Sequence, residues 1–453
     1  MRGIAWAMVI DGEGVIRYHE PGLVDEEGGL DAISAVVSEC ENKTKSSPEL
    51  AGGHTRHGVR YHPSLKKKIP ALIESDPCLA ADSKGKVYLA FCRGKELGAV
   101  FLQAWAGGKM EGEIMCSRMT KLEHDNLSPS LCVDGKGIVH LAWTTCGVEK
   151  YQVCVARPAG NEGEYGMEQV TECDDDAMAP RLAVDSSGKV RLTYYAWNEW
   201  KKGLSRDREV FLCGYDSGTW SKAVQFSPTS VPEYEDHTDP AICGDGQGGM
   251  WVAWSWDYHG TLPEGNIAAE PSIFARRVGA DGKPGGLVCV GTKAPEGKRA
   301  RDFAPAIATA QDGSVWCAWD NLHYGSLGFG SKAIFVAKID TDGSGDHIEL
   351  AASKEQIGPA VLVGSLTLWE RDRVRAVKTP RDLIAFWVSR EKKNPGIRYR
   401  ALKAGKWCEE KTMLIGDFRG LAACCDSNGV LWLAVSRVTP EGWKVELVEG
   451  KID

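Results

Sequence analysis

The 453-residue sequence lacks several features that would assign it to a functional class at once. No apolar run reaches about 18 residues, so no segment is expected to cross a membrane as a helix. Positive charge is not in excess either, because 54 Lys and Arg stand against 62 Asp and Glu, a net charge of −8. This balance argues against a nucleic-acid partner, since phosphate backbones are bound by basic surfaces.

The 15 cysteines are odd in number and contain no CxxC pair. Many fall inside apolar stretches, as Cys132, Cys243 and Cys317 do. Free cysteine packs as a small buried hydrophobe. We therefore expect packing residues in a reducing compartment, with no metal site and no cofactor. The segment Met1 to His19 lacks the basic start and unbroken apolar core of a signal peptide, which predicts a cytoplasmic location unless a leader has been removed.

The sequence does contain a recurring pattern, which consists of a proline, alternating apolar residues, Asp-x-x-Gly, and an apolar stretch that ends in an aromatic residue. The prolines are Pro77, Pro129, Pro180, Pro240, Pro305 and, in a degenerate sixth unit, Pro359. A seventh unit, Asp426 to Trp432, has no proline. Successive prolines are 51 to 65 residues apart, a length that suits four short strands and their turns. In each Asp-x-x-Gly, Asp caps a turn and Gly supplies positive φ, which predicts a tight hairpin.

These units predict an all-β fold: a single β-propeller domain over residues 1–453, with seven four-stranded blades. The last unit stops after a third strand, so we expect the N-terminal strand, Gly3 to Ile10, to supply the fourth and close the ring. An irregular insertion is expected at about 20–70. The degenerate sixth unit leaves six or eight blades open.

Loops that leave the second strands and loops that enter the first strands should share one mouth of the propeller, and loops on a rigid scaffold commonly carry function. Histidine and tyrosine pass protons near neutral pH, and paired carboxylates serve hydrolysis. The candidate catalytic residues are His237, His259, His323, Tyr258, Tyr324, Asp257 and Asp320.

Tryptophans in the same loops could stack on sugar rings, and arginine forks bind carboxylate or sulfate. The candidate substrate-binding residues are Trp197, Trp200, Trp256, Arg299, Arg301 and Arg390. Blade-edge packing is the alternative for the tryptophans, and a structural or solvated role is the alternative for any single histidine. The group His54, His57 and His62 leaves a metal site, a loop over the mouth and a plain surface loop open.

The segments SPSLCVDGKGIVHLAW and DPAICGDGQGGMWVAW resemble the repeats of sialidase-like propellers and of the related propeller glycosidases and polysaccharide lyases. Here Gly follows Asp by three residues rather than two, and Lys68-Ile69-Pro70 stands where sialidases have Arg-Ile-Pro. The resemblance implies a carbohydrate-active enzyme that cleaves a glycosidic bond of an oligosaccharide or polysaccharide, including an acidic one. Elimination would use Arg, His and Tyr, whereas hydrolysis would use two carboxylates either about 5–5.5 Å or about 6.5–9.5 Å apart. A non-catalytic scaffold that binds protein or sugar is the alternative.

Overall fold

Short alternating stretches of apolar residues form β-strands throughout the described part of this computed structural model, and no helix occurs there. The structure describes residues 7–10, 16–20, 72–94, 98–117, 125–146, 150–159, 164–171, 176–197, 208–228, 236–257, 272–292, 301–310, 312–321, 324–325, 328–329, 332–340, 343–344, 347–353, 357–364, 383–403 and 405–450. Within these residues there is no helix long and apolar enough to cross a membrane. The chain divides into two units, Met1–Ala71 and Leu72–Asp453.

In the first unit, β1 (Ala7–Ile10) and β2 (Ile16–Glu20) pair antiparallel as a two-stranded sheet. The N-terminal strand that we expected to complete the last blade contains β1. Its observed partner is β2, so ring closure by this strand is not confirmed and stays a prediction.

Among the described residues, the strands of the second unit fall into seven successive antiparallel groups, which we call the first to seventh sheets. The first is formed by β3 (Leu72–Ala81), β4 (Val87–Gly94), β5 (Ala99–Ala106) and β6 (Lys109–Met115). The second is formed by β7 (Asp125–Val133), β8 (Val139–Cys146), β9 (Tyr151–Pro158) and β10 (Tyr165–Gln169). The third is formed by β11 (Ala177–Val184), β12 (Val190–Trp197), β13 (Arg208–Asp216), β14 (Thr219–Trp220) and β15 (Val224–Gln225). The fourth is formed by β16 (Asp236–Gly244), β17 (Met250–Asp257), β18 (Ser272–Val278) and β19 (Pro284–Cys289).

The fifth sheet is formed by β20 (Asp302–Thr309), β21 (Val315–Asn321), β24 (Lys332–Asp340), β25 (Gly343–Ser344) and β26 (Ile348–Ser353), and a hairpin of β22 (Tyr324–Gly325) and β23 (Gly328–Phe329) precedes β24. The sixth is formed by β27 (Ile357–Gly364), β28 (Leu383–Ser389), β29 (Gly396–Lys403), β30 (Lys406–Trp407) and β31 (Lys411–Ile415). The seventh is formed by β32 (Phe418–Cys425), β33 (Leu431–Thr439) and β34 (Gly442–Gly450).

Neighbouring strands within each sheet are antiparallel, which is the internal order expected of a propeller blade. Each first strand contacts the first strand of the next sheet, from β3 and β7 onward, and β32 in turn contacts β3. Short parallel junctions join β13 to β16 and β34 to β3. The described part of the chain is therefore all-β with propeller-like sheets, although its seventh sheet has three strands rather than four.

The predicted Asp-x-x-Gly hairpins are confirmed where the structure describes them. The carboxylates of Asp82 and Asp426 each accept two backbone N–H groups through Oδ1, at 2.8 and 2.9 Å, and Gly85 and Gly429 have φ of +83° and +77°. The fifth turn has Ala310 in place of Asp. There Asp312 Oδ1 accepts the backbone N–H of Ser314 at 2.8 Å, so a different carboxylate holds the turn.

The core lies between neighbouring sheets, because each sheet packs both of its faces. Trp143, Trp254, Trp319 and Trp387 are fully buried on the second strands of the second, fourth, fifth and sixth sheets. The indole N–H of Trp143 donates to Asn126 Oδ1 at 2.9 Å, and that of Trp319 to Thr292 Oγ1 at 3.1 Å. Most described cysteines are buried or half-buried, in agreement with their expected packing role.

Candidate active site

The starts of the first strands and the ends of the second strands lie at one edge of each sheet. Cα partners at this edge include Asp236 with Asp257, and Phe418 with Arg437. The predicted grouping of these chain segments is therefore confirmed within each sheet. We call this edge the entry edge, and the Asp-x-x-Gly turns lie at the opposite one.

His237 lies at the entry edge, but its side chain is enclosed, with 0% exposure. Its Nδ1 accepts the indole N–H of Trp254 at 2.8 Å, and its Nε2 lies 3.6 Å from Glu209 Oε2. Burial, assisted by the charge of Arg276, lowers the pKa of His237 to about 3, so the ring is neutral near neutral pH. This placement favours a structural role, and the predicted catalytic role of His237 is untested.

The two described tryptophans of the predicted set also have protein partners. Trp256 is 6% exposed and packs against His237 and Phe274, with ring centroids at 4.7 and 4.5 Å. Trp197 is half-buried, and the guanidinium of Arg208 lies 4.4 Å from its ring centroid. Trp256 is thus placed as a packing residue, whereas Trp197 supports an arginine.

The remaining predicted residues are placed less completely. Asp257 and Asp320 are half-buried near the ends of β17 and β21, and Arg301 and Arg390 are half-buried next to β20 and β28. The backbone of Tyr324 belongs to β22. Trp200, Tyr258, His259, Arg299, His323 and the group His54, His57 and His62 lie outside the described residues.

Sequence reasoning missed a bulge in the middle of the first strands. In β3 and β16 the register shifts on either side of Asp76-Pro77 and Asp239-Pro240. Asp76 and Asp239 adopt left-handed backbone, with φ of +51° and +52°, and Ser128, Ala179 and Ala304 do the same before their prolines. Non-glycine residues rarely adopt this conformation, and such strain concentrates at functional sites. The Xaa-Pro pair in each unit was the available signal.

Two of these bulge residues belong to a group of five interacting polar side chains, Asp76, Arg181, Tyr195, Arg208 and Asp239, which we call the Tyr195 cluster. Burial raises the pKa of Asp76, and Arg181 opposes that rise. Burial likewise raises the pKa of Asp239, against Arg181 and Arg208. Solvent nevertheless reaches all five side chains, and Asp76 is exposed. The carboxyl groups therefore lie in a space that protein largely encloses but that water can enter.

Tyr195 lies on β12 of the third sheet, between the strands that carry Arg181 and Arg208. Burial raises the pKa of its phenol, and the nearby carboxylate of Asp239 raises it further, whereas Arg208 lowers it. Tyr194, the preceding residue, points to the other face and stacks on Phe211 with centroids 5.6 Å apart. Alternation along β12 thus directs one tyrosine into the core and the other towards the fourth sheet.

Arg208 is positioned from two sides at the junction of the third and fourth sheets. Its backbone N–H donates to Asp236 Oδ1 at 3.2 Å, and its Nη1 lies 3.9 Å from Asp236 Oδ2. The ring of Trp197 supports the guanidinium plane by a cation–π contact. Arg208 is therefore held in place at the entry edge while part of its side chain remains solvent-accessible.

The Tyr195 cluster offers two cations, two carboxyl groups with raised pKa values and one phenol that stays protonated near neutral pH. Guanidinium groups bind carboxylate or sulfate, and a positioned phenol or carboxylic acid can donate a proton. Among the residues that the structure describes, this cluster included, no group of three or more His, Cys, Asp and Glu side chains is arranged to hold a metal ion.

No protein-family model matches the sequence, and no curated protein matches it. Several solved structures share the fold. The polysaccharide lyase Uly1 is 11% identical, with coverage of 86% of this chain and 93% of that one and a TM-score of 0.52. An ulvan lyase from a new polysaccharide lyase family, bound to an oligosaccharide of glucuronic acid and rhamnose 3-sulfate, is 10% identical, with coverage of 83% and 96% and a TM-score of 0.51.

A microbial sialidase also matches, at 10% identity, with coverage of 78% of this chain and 73% of that one and a TM-score of 0.41. The two lyase structures, with TM-scores above 0.5, show that this chain shares their fold. At such identities they carry no residue roles, so the chemistry of this chain has to be argued from its own site.

Proposed function

We propose that this protein is a carbohydrate-active enzyme that cleaves a glycosidic bond in an acidic glycan, with the Tyr195 cluster as its reaction centre. The observation that carries the proposal is the grouping of Arg181 and Arg208 with Tyr195 and two carboxyl groups in a solvent-accessible space. The acidic oligosaccharide bound to a lyase of similar fold supports this ligand class.

β-Elimination is the reaction that the cluster supports best. The step removes the proton from the carbon next to the uronate carboxylate, forms a C=C bond to the following carbon and breaks the C–O bond of that carbon. It therefore needs a cation for the carboxylate, a base for the proton and a proton donor for the leaving oxygen. Arg208 would neutralise the uronate, and its contacts with Asp236 and Trp197 support this role because they hold the side chain in position. Tyr195 suits the proton donor, since its raised pKa keeps the phenol protonated. Asp239 or the predicted histidines His259 and His323 would supply the base.

Hydrolysis is the second candidate, and the raised pKa values of Asp76 and Asp239 favour it. A glycosidase needs one carboxylic acid that protonates the leaving oxygen and one carboxylate that acts as base or nucleophile. Burial keeps part of the Asp76 or Asp239 population protonated closer to neutral pH than an exposed aspartate. Asp257 and Asp320, the carboxylates predicted from sequence, would provide alternative partners.

The experiment is incubation with a panel of uronate-containing and neutral glycans, followed through new reducing ends and through ultraviolet absorbance of unsaturated uronates. Reducing ends together with absorbance would indicate elimination, and reducing ends alone would indicate hydrolysis. We expect Arg208→Gln to lower kcat/KM on acidic glycans by about 100-fold or more, because electrostatic groups at a reacting centre contribute about that much. Arg191→Gln is the matched control, since Arg191 pairs with Asp185 at the turn edge.

Glycan binding without cleavage by the wild-type protein would instead support the non-catalytic scaffold. Equal cleavage by the wild type and by Arg208→Gln would remove Arg208 from the reaction centre.

We further infer that the seven sheets form a closed seven-bladed propeller. Contact of each first strand with the next, including β32 with β3, supports closure of the inner ring. In β34, Val445, Leu447 and Val448 are only half-buried, whereas Val153 and Val155 at the same place in the second sheet are fully buried. A fourth strand from the N-terminus would cover them. Deletion of residues 1–10 should then raise amide exchange in β34, and unchanged exchange would contradict this closure.

A further inference from the structure

The outer part of the sixth sheet carries two arginines on one face. Side chains alternate along β29, so Arg398, Arg400 and Leu402 point to the same side. Leu402 packs with Ile334 and Val336 of β24, which places this side against the fifth sheet. The intervening Tyr399 packs instead towards the seventh sheet.

Two residues of the neighbouring short strands share this face. Trp407 is the Cα partner of Leu402, and its ring contacts Trp316 of the fifth sheet with centroids 6.0 Å apart. Thr412 is the Cα partner of Arg398 and accepts a hydrogen bond from its guanidinium. We call Arg398, Arg400, Trp407 and Thr412 the Arg400 face.

Several buried N–H donors of the Arg400 face lack an acceptor. In the part of the chain that the structure describes, Arg400 makes neither a hydrogen bond nor an ion pair, and its Nε is buried. Arg398 is 8% exposed; its Nη2 donates to Asn394 O at 2.7 Å, while its Nε finds no acceptor. The indole N–H of Trp407 is buried and unpaired as well. Buried donors are nearly always satisfied, so three on one face call for an acceptor.

The carboxyl group of Glu410 does not accept a hydrogen bond from any of these three donors. Both arginines act electrostatically on Glu410, but burial raises the pKa of Glu410, and Glu391 raises it further. Glu410 is exposed at the rim. The face therefore combines two guanidinium groups and an indole donor, with the carboxyl group of Glu410 at its exposed rim.

We propose that the Arg400 face is a binding site for a tetrahedral oxyanion, a sulfate or phosphate group, separate from the Tyr195 cluster. Arginines two residues apart on a strand have Cα atoms about 6.6 Å apart, so their forks approach an anion from two directions. A tetrahedral anion offers acceptors to the Arg400 fork, to the free Nε–H of Arg398 and to the indole, whereas a planar carboxylate matches a single fork better. This site needs no cleavage of any substrate.

The test is isothermal titration of the full-length protein with inorganic sulfate and inorganic phosphate at constant ionic strength, with chloride as the reference anion. We expect sulfate or phosphate binding that weakens by about tenfold or more in Arg400→Gln, the loss expected for a charge-assisted hydrogen bond. Glu410→Gln should tighten binding by about two- to fivefold, because it removes a competing charge at an exposed position. Arg157→Gln, which loses an ion pair with Glu168, is the matched control and should bind as the wild type does.

A sulfated oligosaccharide is titrated in parallel to identify the source of the anion. If its binding also depends on Arg400, the group belongs to a glycan; if only the inorganic ions depend on Arg400, the site holds a free oxyanion. Identical titrations for the wild type and Arg400→Gln would overturn the proposal, as would equal binding of chloride. Because the readout is binding, a failure here is distinguishable from a failure of glycan cleavage.

Discussion

Replacement of His237 separates a structural role from a catalytic one. His237→Leu keeps an apolar side chain of similar size but removes the acceptor for the Trp254 indole N–H, which is buried at 2.8 Å from Nδ1. An unsatisfied buried donor costs about 1–3 kcal/mol. We therefore expect the free energy of unfolding near neutral pH to fall by about that amount, measured by urea denaturation.

The pKa of His237 determines how its contribution to the free energy of unfolding depends on pH. The folded value of about 3 lies below the value of 6.5 for an exposed histidine. The unfolded chain binds more protons between these values, so His237 makes stability rise with pH from about 3 to about 6.5. The contribution is at most about 5 kcal/mol, and His237→Leu should flatten the curve in that range.

Trp254→Phe removes the same hydrogen bond from the other side. If the bond is what matters, the two replacements should be non-additive in a double-mutant cycle, with a coupling of about 0.5–3 kcal/mol. The reasoning is refuted if His237→Leu unfolds like the wild type at every pH yet abolishes glycan cleavage, because His237 would then act in catalysis.

Two further replacements test other parts of the account. Burial raises the pKa of Asp302 to about 7, above the value of 3.8 for an exposed aspartate. The free energy of unfolding should therefore fall as pH rises from about 4 to about 7, by at most about 4 kcal/mol. Asp302→Asn should remove this pH dependence, measured by denaturation at several pH values. A Cβ at Gly420 would lie 2.8 Å from the Pro77 ring. Gly420→Ala should therefore destabilise the contact of the seventh and first sheets by about 1–3 kcal/mol. The control is Gly112→Ala, whose added Cβ would meet nothing within 4 Å and should leave the unfolding midpoint nearly unchanged.

Much of the fold could be predicted from the sequence because its signals are local. Asp82 and Gly85 specify a hairpin whatever surrounds them, and the aromatic residue that ends a second strand marks the core. The fifth turn shows that the function of a motif can move to a neighbour, since Asp312 holds it in place of Ala310. The spacing of the prolines correctly predicted the positions of six of the seven first strands.

The candidate site was less predictable because it depends on which face a side chain takes and on contacts between sheets. The segment of His237 read as an exposed loop, but β16 begins at Asp236, and alternation turns His237 into the core. In the sequence, Tyr195 and Arg208 have the pattern of ordinary strand residues. Their interactions with Asp236 and Asp239 depend on the packing of the fourth sheet against the third. Arg181 gains its role only because it acts electrostatically on Asp76 of the first sheet and on Asp239 of the fourth.

The most direct test of the central claim is the activity of Tyr195→Phe on an acidic glycan that the wild-type protein cleaves. The control is Tyr88→Phe, whose phenol lies 3.5 Å from Asp82 at the turn edge. We predict that Tyr195→Phe binds the glycan and unfolds like the wild type but loses about 100-fold or more of kcat, while Tyr88→Phe keeps its activity. Wild-type kcat in Tyr195→Phe would contradict the assignment of the Tyr195 cluster as the reaction centre.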